Sequence, residues 1–271
     1  MTQDLASLWA AVPQIENIHA SADGTWAFWT LAGPTETEEV WCAAIDGSAP
    51  PERLTHGTDH FDIRDVSADG ARLLLSQSVN ANEHDHLLLL DRHTGRLTQL
   101  TPRQDSHYVY GGCLSPDGRT VYFLANYDYA RAEVTTGAWL WRQDLASGAR
   151  TCLARADSPP HYYIGPRLSP DGTRLLWHRS ERAPGGYQLW VVQTDGSAAH
   201  EVLNLGPTNN VNGVWLDDDR IAFAGDRDGH DGLGILTLSS GAVDWLVQEP
   251  ALRPFAALAG TGPPFAGIHH D

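Results

Sequence analysis

One short phrase recurs along this chain and limits what it can become. Ser21-Ala22-Asp23-Gly24 returns as Ser67-Ala68-Asp69-Gly70, Ser115-Pro116-Asp117-Gly118 and Ser169-Pro170-Asp171-Gly172, with a degraded copy at Leu216-Asp217-Asp218-Asp219. The aspartates at 23, 69, 117, 171 and 217 stand 46, 48, 54 and 46 residues apart. Spacing of this order marks a repeat architecture, in which each unit buries its apolar faces only by stacking on its neighbours.

What surrounds each copy repeats as well. A short apolar run follows every phrase: Trp26 to Trp29, Leu73 to Leu75, Val121 to Leu124, Leu175 to Trp177 and Ile221 to Phe223. A loop of variable length leads to a second run, at Val40 to Ile45, Leu87 to Leu90, Trp139 to Trp141, Leu189 to Val192 and Leu233 to Leu238. Glycine turns such as Asp46-Gly47, Thr94-Gly95 and Ser240-Gly241 then precede a third run. With the strand ahead of each aspartate, the unit has four strands in roughly 50 residues. Asp-Gly and Ser-Gly supply the positive φ of tight hairpins. The runs are apolar at consecutive positions, so both faces of each strand are covered. Four-stranded antiparallel sheets packed between like neighbours are the blades of a β-propeller. The expected fold is therefore all-β: a single β-propeller domain over 1–271, with about five repeats plus the start of a sixth. The repeats fall near 14–55, 56–101, 102–156, 157–206 and 207–250, leaving 251–271 as the start of a sixth blade or a closing strand. Gly267-Ile268-His269-His270-Asp271 fits the first strand and turn of another unit, so a fragment of a longer chain is expected.

The pattern of Ser-Pro-Asp-Gly, apolar strand, polar loop, apolar strand, glycine turn and Leu-Thr resembles the propeller repeats of TolB-like proteins. It equally resembles the N-terminal propeller of the prolyl oligopeptidase family of serine peptidases. Leu54-Thr55 and Leu100-Thr101 are the matching repeat ends, and the segment from Phe223 to Gly229 resembles the loop after the second strand. The resemblance implies a non-catalytic, substrate-gating propeller, with a peptide substrate and a C-terminal α/β-hydrolase domain as partners. No serine here has glycine two residues before and two after it, as a hydrolase nucleophile elbow requires. The family's catalytic serine, aspartate and histidine are accordingly expected beyond Asp271. The alternatives are a stand-alone TolB-like binding propeller and a metal-dependent carbohydrate-active propeller.

The metal alternative rests on a histidine rim. His60, His107 and His161 precede their unit's aspartate by 9, 10 and 10 residues, and Asn209 takes a similar place in the fifth unit. Three imidazoles converging on an axis could hold a divalent metal; otherwise they form a polar rim and no cofactor is expected. Tyr127, Tyr129 and Arg131, in the longest insertion, are candidates for an exposed contact loop. His84 and His86 read as surface residues, Thr35 to Glu39 as a solvated loop, and Asp226 to Asp231 as a turn.

Charge and composition narrow the partners. A formal charge of -16, from 18 basic and 34 acidic residues, repels phosphate backbones and argues against nucleic acid. All the basic residues are Arg, so lysine Schiff-base chemistry is excluded. No apolar run reaches the roughly 18 residues of a spanning helix, and no leader pattern opens the chain, so a cytoplasmic protein without a membrane partner is expected. Cys42, Cys113 and Cys152 share no metal-ligand spacing and read as small buried apolar residues.

Overall fold

The computed structural model describes residues 14–32, 38–57, 60–78, 84–103, 106–158, 164–180, 186–206, 210–227, 230–248, 253–258 and 265–269. They form five four-stranded antiparallel sheets, each a consecutive meander, and one two-stranded sheet. The first sheet holds β1 (Gln14–Ala20), β2 (Trp26–Ala32), β3 (Glu38–Ala44) and β4 (Glu52–Arg53). The second holds β5 (His60–Val66), β6 (Arg72–Ser78), β7 (His86–Asp91) and β8 (Arg96–Gln99). The third is β9 (Val109–Leu114), β10 (Thr120–Asp128), β11 (Glu133–Asp144) and β12 (Arg150–Ala154). The fourth is β13 (Arg167–Leu168), β14 (Arg174–Arg179), β15 (Gln188–Gln193) and β16 (Ala199–Leu203). The fifth is β17 (Val211–Trp215), β18 (Arg220–Arg227), β19 (His230–Thr237) and β20 (Ala242–Gln248). This is a five-bladed β-propeller, and the described residues contain no helix. Beyond the fifth blade, β21 (Arg253–Leu258) pairs antiparallel with β22 (Phe265–His269) as a hairpin.

The recurring phrase is a hydrogen-bonded turn. Ser21 Oγ donates to Asp23 Oδ1 at 2.5 Å, the Thr25 amide donates to the same oxygen at 3.0 Å, and the Trp26 amide donates to Ser21 Oγ at 3.0 Å. Asp69, Asp117 and Asp171 accept from Ser67, Ser115 and Ser169 at 2.7, 2.6 and 2.6 Å. The glycine that follows lies at φ +71, +65, +62 and +73 in the four copies, a left-handed conformation that costs a side-chain-bearing residue about 1–2 kcal/mol. Hydrogen bonds from serine, first of all, hold each of these four carboxyls below its usual pKa. The degraded copy replaces serine by arginine chemistry: the Arg220 amide and Nε both donate to the Asp217 carboxylate at 2.7 Å.

The Leu-Thr repeat ends are equally physical. Leu54 and Leu100 are buried, and their amides donate to the carbonyls of Val40 and Leu87 at 2.8 Å. The hydroxyls of Thr55 and Thr101, on residues 1% exposed, accept from the Val40 and Leu87 amides at 2.9 Å. Each hydroxyl thus satisfies a buried N–H of the third strand that the short fourth strand leaves open.

The chain divides into two compact units, Met1–Val121 with Asp144–Ala149, and Tyr122–Gln143 with Arg150–Asp271. In the first, Phe28, Val40, Cys42, Phe61, Ile63, Leu73, Leu75 and Leu90 form one core, with Trp26 packed against it. In the second, the core is built from Leu176, Leu189, Val191, Val211, Trp215, Ile221, Phe223 and Leu236. The consecutive burial of Leu73 to Ser76 in β6 shows strands covered on both faces, whereas β8 is exposed throughout. Cys42 and Cys113 are buried, Cys152 is half-buried, and none of the three is in a disulfide.

Several expectations need correction. Glu38 and Glu39 do not sit in a solvated loop; they begin β3 and are 9% and 6% exposed. Glu39 is consumed by structure, accepting from Arg53 Nη2 and Thr55 Oγ1 at 2.5 Å and from the Gly57 amide at 3.0 Å. His86 is not a surface residue but is buried at the start of β7. The segment from Asp226 to Asp231, read as a turn, takes in the end of β18 and the start of β19, where Asp226 pairs with Asp231 and Arg227 with His230; 228 and 229 lie outside the described residues.

Candidate functional site

Polar side chains gather where β1, β3 and β5 of the first unit meet. The β1–β2 register shifts between Glu16 and His19, and Asn17 there adopts φ +47, which asparagine tolerates better than most residues. The bulge has a consequence. Residues three apart on a regular strand face opposite sides, yet Glu16 pairs with Thr30 and His19 with Phe28, two positions apart on β2. Glu16 and His19 therefore share a face, as bulges allow. Glu38 pairs with Ala32 and so lies on that face too.

From β5, His60 Nε2 approaches Glu38 Oε2 at 3.4 Å. His60 and Asp62 alternate with the core residues Phe61 and Ile63 and share a face; the register shifts between Ile63 and Asp65, and Arg64 at that bulge turns to the same side. The Arg64 guanidinium holds Asp62 and Asp85 at 2.9 Å each, and its Nε donates to Ser76 Oγ at 2.9 Å. The group carries four carboxylates, one guanidinium and two imidazoles.

Burial dominates the proton affinities. It raises the Glu38 pKa, opposed by His60 and reinforced by Glu16 and Asp62. It raises that of Asp62, against the pull of Arg64 and with the push of Asp85. His19 is lowered by burial, with Asp62 acting in the other direction. Deeper in β5, Asp65 is pushed up to about 6 by enclosure alone, although its oxygens accept from the Leu114 and Val66 amides at 2.7 and 2.8 Å. Such a cluster, with Glu38 and Asp62 held above their ordinary proton affinity and His19 below its own, can accept hydrogen bonds from polar groups. Elsewhere in the unit, Ser106 Oγ lies 3.4 Å from Nδ1 of the adjacent His107.

The histidines of the sequence rim fall in unlike surroundings. His60 has a side chain 42% exposed and facing Glu38, whereas His107 is 2% exposed, its carbonyl 3.2 Å from His84 Nδ1. His161 and Asn209 lie outside the described residues. Among the described residues, no group of three or more His, Cys, Asp or Glu is placed to hold a metal ion. His84 stacks on Tyr108 at 4.3 Å and Tyr108 on Tyr110 at 5.9 Å.

The insertion carrying Tyr127, Tyr129 and Arg131 is a lengthened β10–β11 hairpin rather than an open loop. Tyr129 packs edge-on against Phe123, Tyr127 and Trp141, and the Arg150 guanidinium covers its ring at 4.2 Å. Burial raises its phenol pKa. Arg131, 74% exposed, is the outward member of the three, its Nε 3.8 Å from Asp128 Oδ2.

Sequence reasoning singled out His60 but missed Glu16, His19, Asp62, Arg64 and Asp85. The available signal was the alternation His60-Phe61-Asp62-Ile63-Arg64 within a strand expected to be covered on both faces.

With this geometry in hand, solved structures give a common answer. A prolyl endopeptidase superposes with a TM-score of 0.76 at 13% identity, over 96% of this chain and 40% of that one. The likeness is one of fold. A puromycin-hydrolysing peptidase of Mycobacterium tuberculosis matches at 0.67 and 18% identity, over 99% of this chain and 47% of its own. A TolB-type protein of Agrobacterium tumefaciens matches at 0.62 and 20% identity, over 96% and 91%. This chain therefore spans less than half the length of the two peptidases. No family model and no curated protein matches the sequence.

Proposed function

We propose that this chain is a non-catalytic propeller of a prolyl oligopeptidase-type serine peptidase, controlling how peptides reach a hydrolase domain. The observation that carries the reading is the superposition on a prolyl endopeptidase over 96% of this chain but 40% of that enzyme. The missing nucleophile elbow agrees with it. On this reading the Glu38–His60–Asp62 cluster contributes polar contacts to passing peptide, and no metal or organic cofactor takes part.

The test is made on the protein purified from its own cells. Its intact mass is measured and it is treated with a fluorophosphonate, which labels activated serines. The expected result is a species well above 29.6 kDa that is labelled and cleaves peptide amides, while the isolated 271-residue chain is not labelled. An unlabelled native species of 29.6 kDa overturns the proposal. That outcome would favour a second reading, a free-standing binding propeller, which the 91% coverage of the TolB-type protein supports.

A further inference from the structure

The first unit contains a groove of about 490 Å³ between its second sheet and the turns that follow, within the size range of small-molecule sites. Arg72, Arg96 and Arg119 line it, with Leu89, Asp91 and Asp144. The second unit contains a groove of about 510 Å³ at the matching place. The correspondence follows from hydrogen bonding. Arg72 pairs with Asp91 as Arg174 pairs with Gln193. Leu89 pairs with Thr98 as Val191 pairs with His200. The Leu145 amide donates to the Arg119 carbonyl as the Leu238 amide donates to that of Asp219, at 2.9 and 2.8 Å.

The repeat thus supplies its own control. Arg72 and Arg174 do the same structural job, each guanidinium donating to the backbone carbonyl of a later turn, at Gly118 and Asp218. The other two arginines have no such duty. Where the first groove has Arg119 the second has Asp219. Arg96, paired with Asp91, corresponds to Ala198, whose carbonyl accepts from the Gln193 amide. The architecture therefore does not require a cation at either position. Arg96 and Arg119 are exposed, and neither guanidinium has a hydrogen bond or ion pair among the described residues. The carboxylates nearby are partly occupied: Asp91 Oδ1 accepts from the Thr94 amide and hydroxyl at 2.9 Å, and Asp144 Oδ1 from those of Ser147 at 2.7 and 2.6 Å. The first groove carries a formal excess of positive charge, three Arg against two Asp, in a chain of net charge -16. The second carries Arg174 against Glu201 and Asp219.

We propose that the groove lined by Arg72, Arg96 and Arg119 binds a small phosphate-bearing anion. Two open guanidinium forks match phosphate oxygens pairwise, as a point charge does not. Leu89 and Leu145 form the apolar part of the lining that a substituent on the phosphate would meet. This site stands independently of the proposed peptidase role.

The experiment titrates inorganic phosphate, pyrophosphate and citrate into the 271-residue chain at constant ionic strength, followed by calorimetry. The variant is Arg96→Ala with Arg119→Asp, which installs the residues of the matching groove. Both side chains are exposed and neither guanidinium is hydrogen-bonded among the described residues, so the variant should keep its melting temperature, which is measured alongside. Pyrophosphate is expected to bind saturably to the wild type and at least about 100-fold more weakly to the variant, roughly tenfold for each arginine. Binding that is equal in wild type and variant overturns the proposal, as does no saturation by about 10 mM pyrophosphate, a free energy near -3 kcal/mol. Tighter binding of citrate than of either phosphate overturns the ligand class.

Discussion

Replacing Asp65 by asparagine should change how stability depends on pH, by an amount the structure fixes. The Asp65 carboxyl is pushed from 3.8 up to about 6 by enclosure, with no charged neighbour contributing. In the unfolded chain it ionises near its ordinary value. Between about pH 4 and 6 the folded state holds a proton that the unfolded state has lost, so stability falls as pH rises through this window. The rise from 3.8 to about 6 corresponds to roughly 3 kcal/mol of lost stability by pH 7. An asparagine at this position would not titrate and escapes this loss. It has one acceptor oxygen where the carboxylate offers two, so the Leu114 or the Val66 amide loses its partner, at a cost of about 1–3 kcal/mol that does not vary with pH. The informative quantity is therefore the difference between the two proteins, by urea unfolding at intervals from pH 4 to 7. Asp65→Asn should gain on the wild type by roughly 3 kcal/mol across that range, whatever its starting offset. A difference that stays constant from pH 4 to 7 would refute the claim that the Asp65 carboxyl carries an unrelieved desolvation penalty.

Two other perturbations use the repeat as a control. Gly24→Ala should cost only the strain of φ +71, about 1–2 kcal/mol by thermal unfolding, since a Cβ there meets nothing within 4 Å. Gly70→Ala, at φ +65, should cost measurably more, because its Cβ would press on Ser21 Cβ at 3.2 Å and the Phe28 ring at 3.3 Å. Equal losses would show that this contact relaxes freely. Thr55→Val should destabilise by about 1–3 kcal/mol, since it strips the buried Val40 amide of its acceptor and Glu39 of a donor. Thr101→Val, which removes the acceptor of Leu87, should cost less in the same denaturant titration.

The architecture was legible because its determinants are local and repeated. Ser-x-Asp-Gly encodes a turn through its own side-chain bonds, and Leu-Thr encodes a strand end in the same way, so recurring copies made the blades readable. The polar cluster was hidden for the opposite reason. It depends on the bulge at Asn17, which brings Glu16 and His19 to one face, and on an approach of β3 to β5 that no short window contains. Glu38 and Glu39 show the same limit. An acidic pair after a polar stretch looks solvated until Arg53 and Thr55, fourteen and sixteen residues beyond Glu39, turn out to receive it. Tyr127 and Tyr129 read as a loop because inserted length does not by itself distinguish an open excursion from a longer hairpin.

The ties from Arg72 to the Gly118 carbonyl and from Arg174 to the Asp218 carbonyl bear on how such a repeat can change over time. A side chain that fastens onto a backbone oxygen makes no demand on the identity of the residue that offers it. The receiving turn is then free to drift in sequence while its neighbour keeps hold of it. The fifth phrase, with Leu216-Asp217-Asp218-Asp219 in place of Ser-Pro-Asp-Gly, is what that freedom looks like: its internal chemistry has been rewritten around Arg220, and the tie from Arg174 persists. Copies of one ancestral unit can in this way diverge at their turns independently and still assemble as partners.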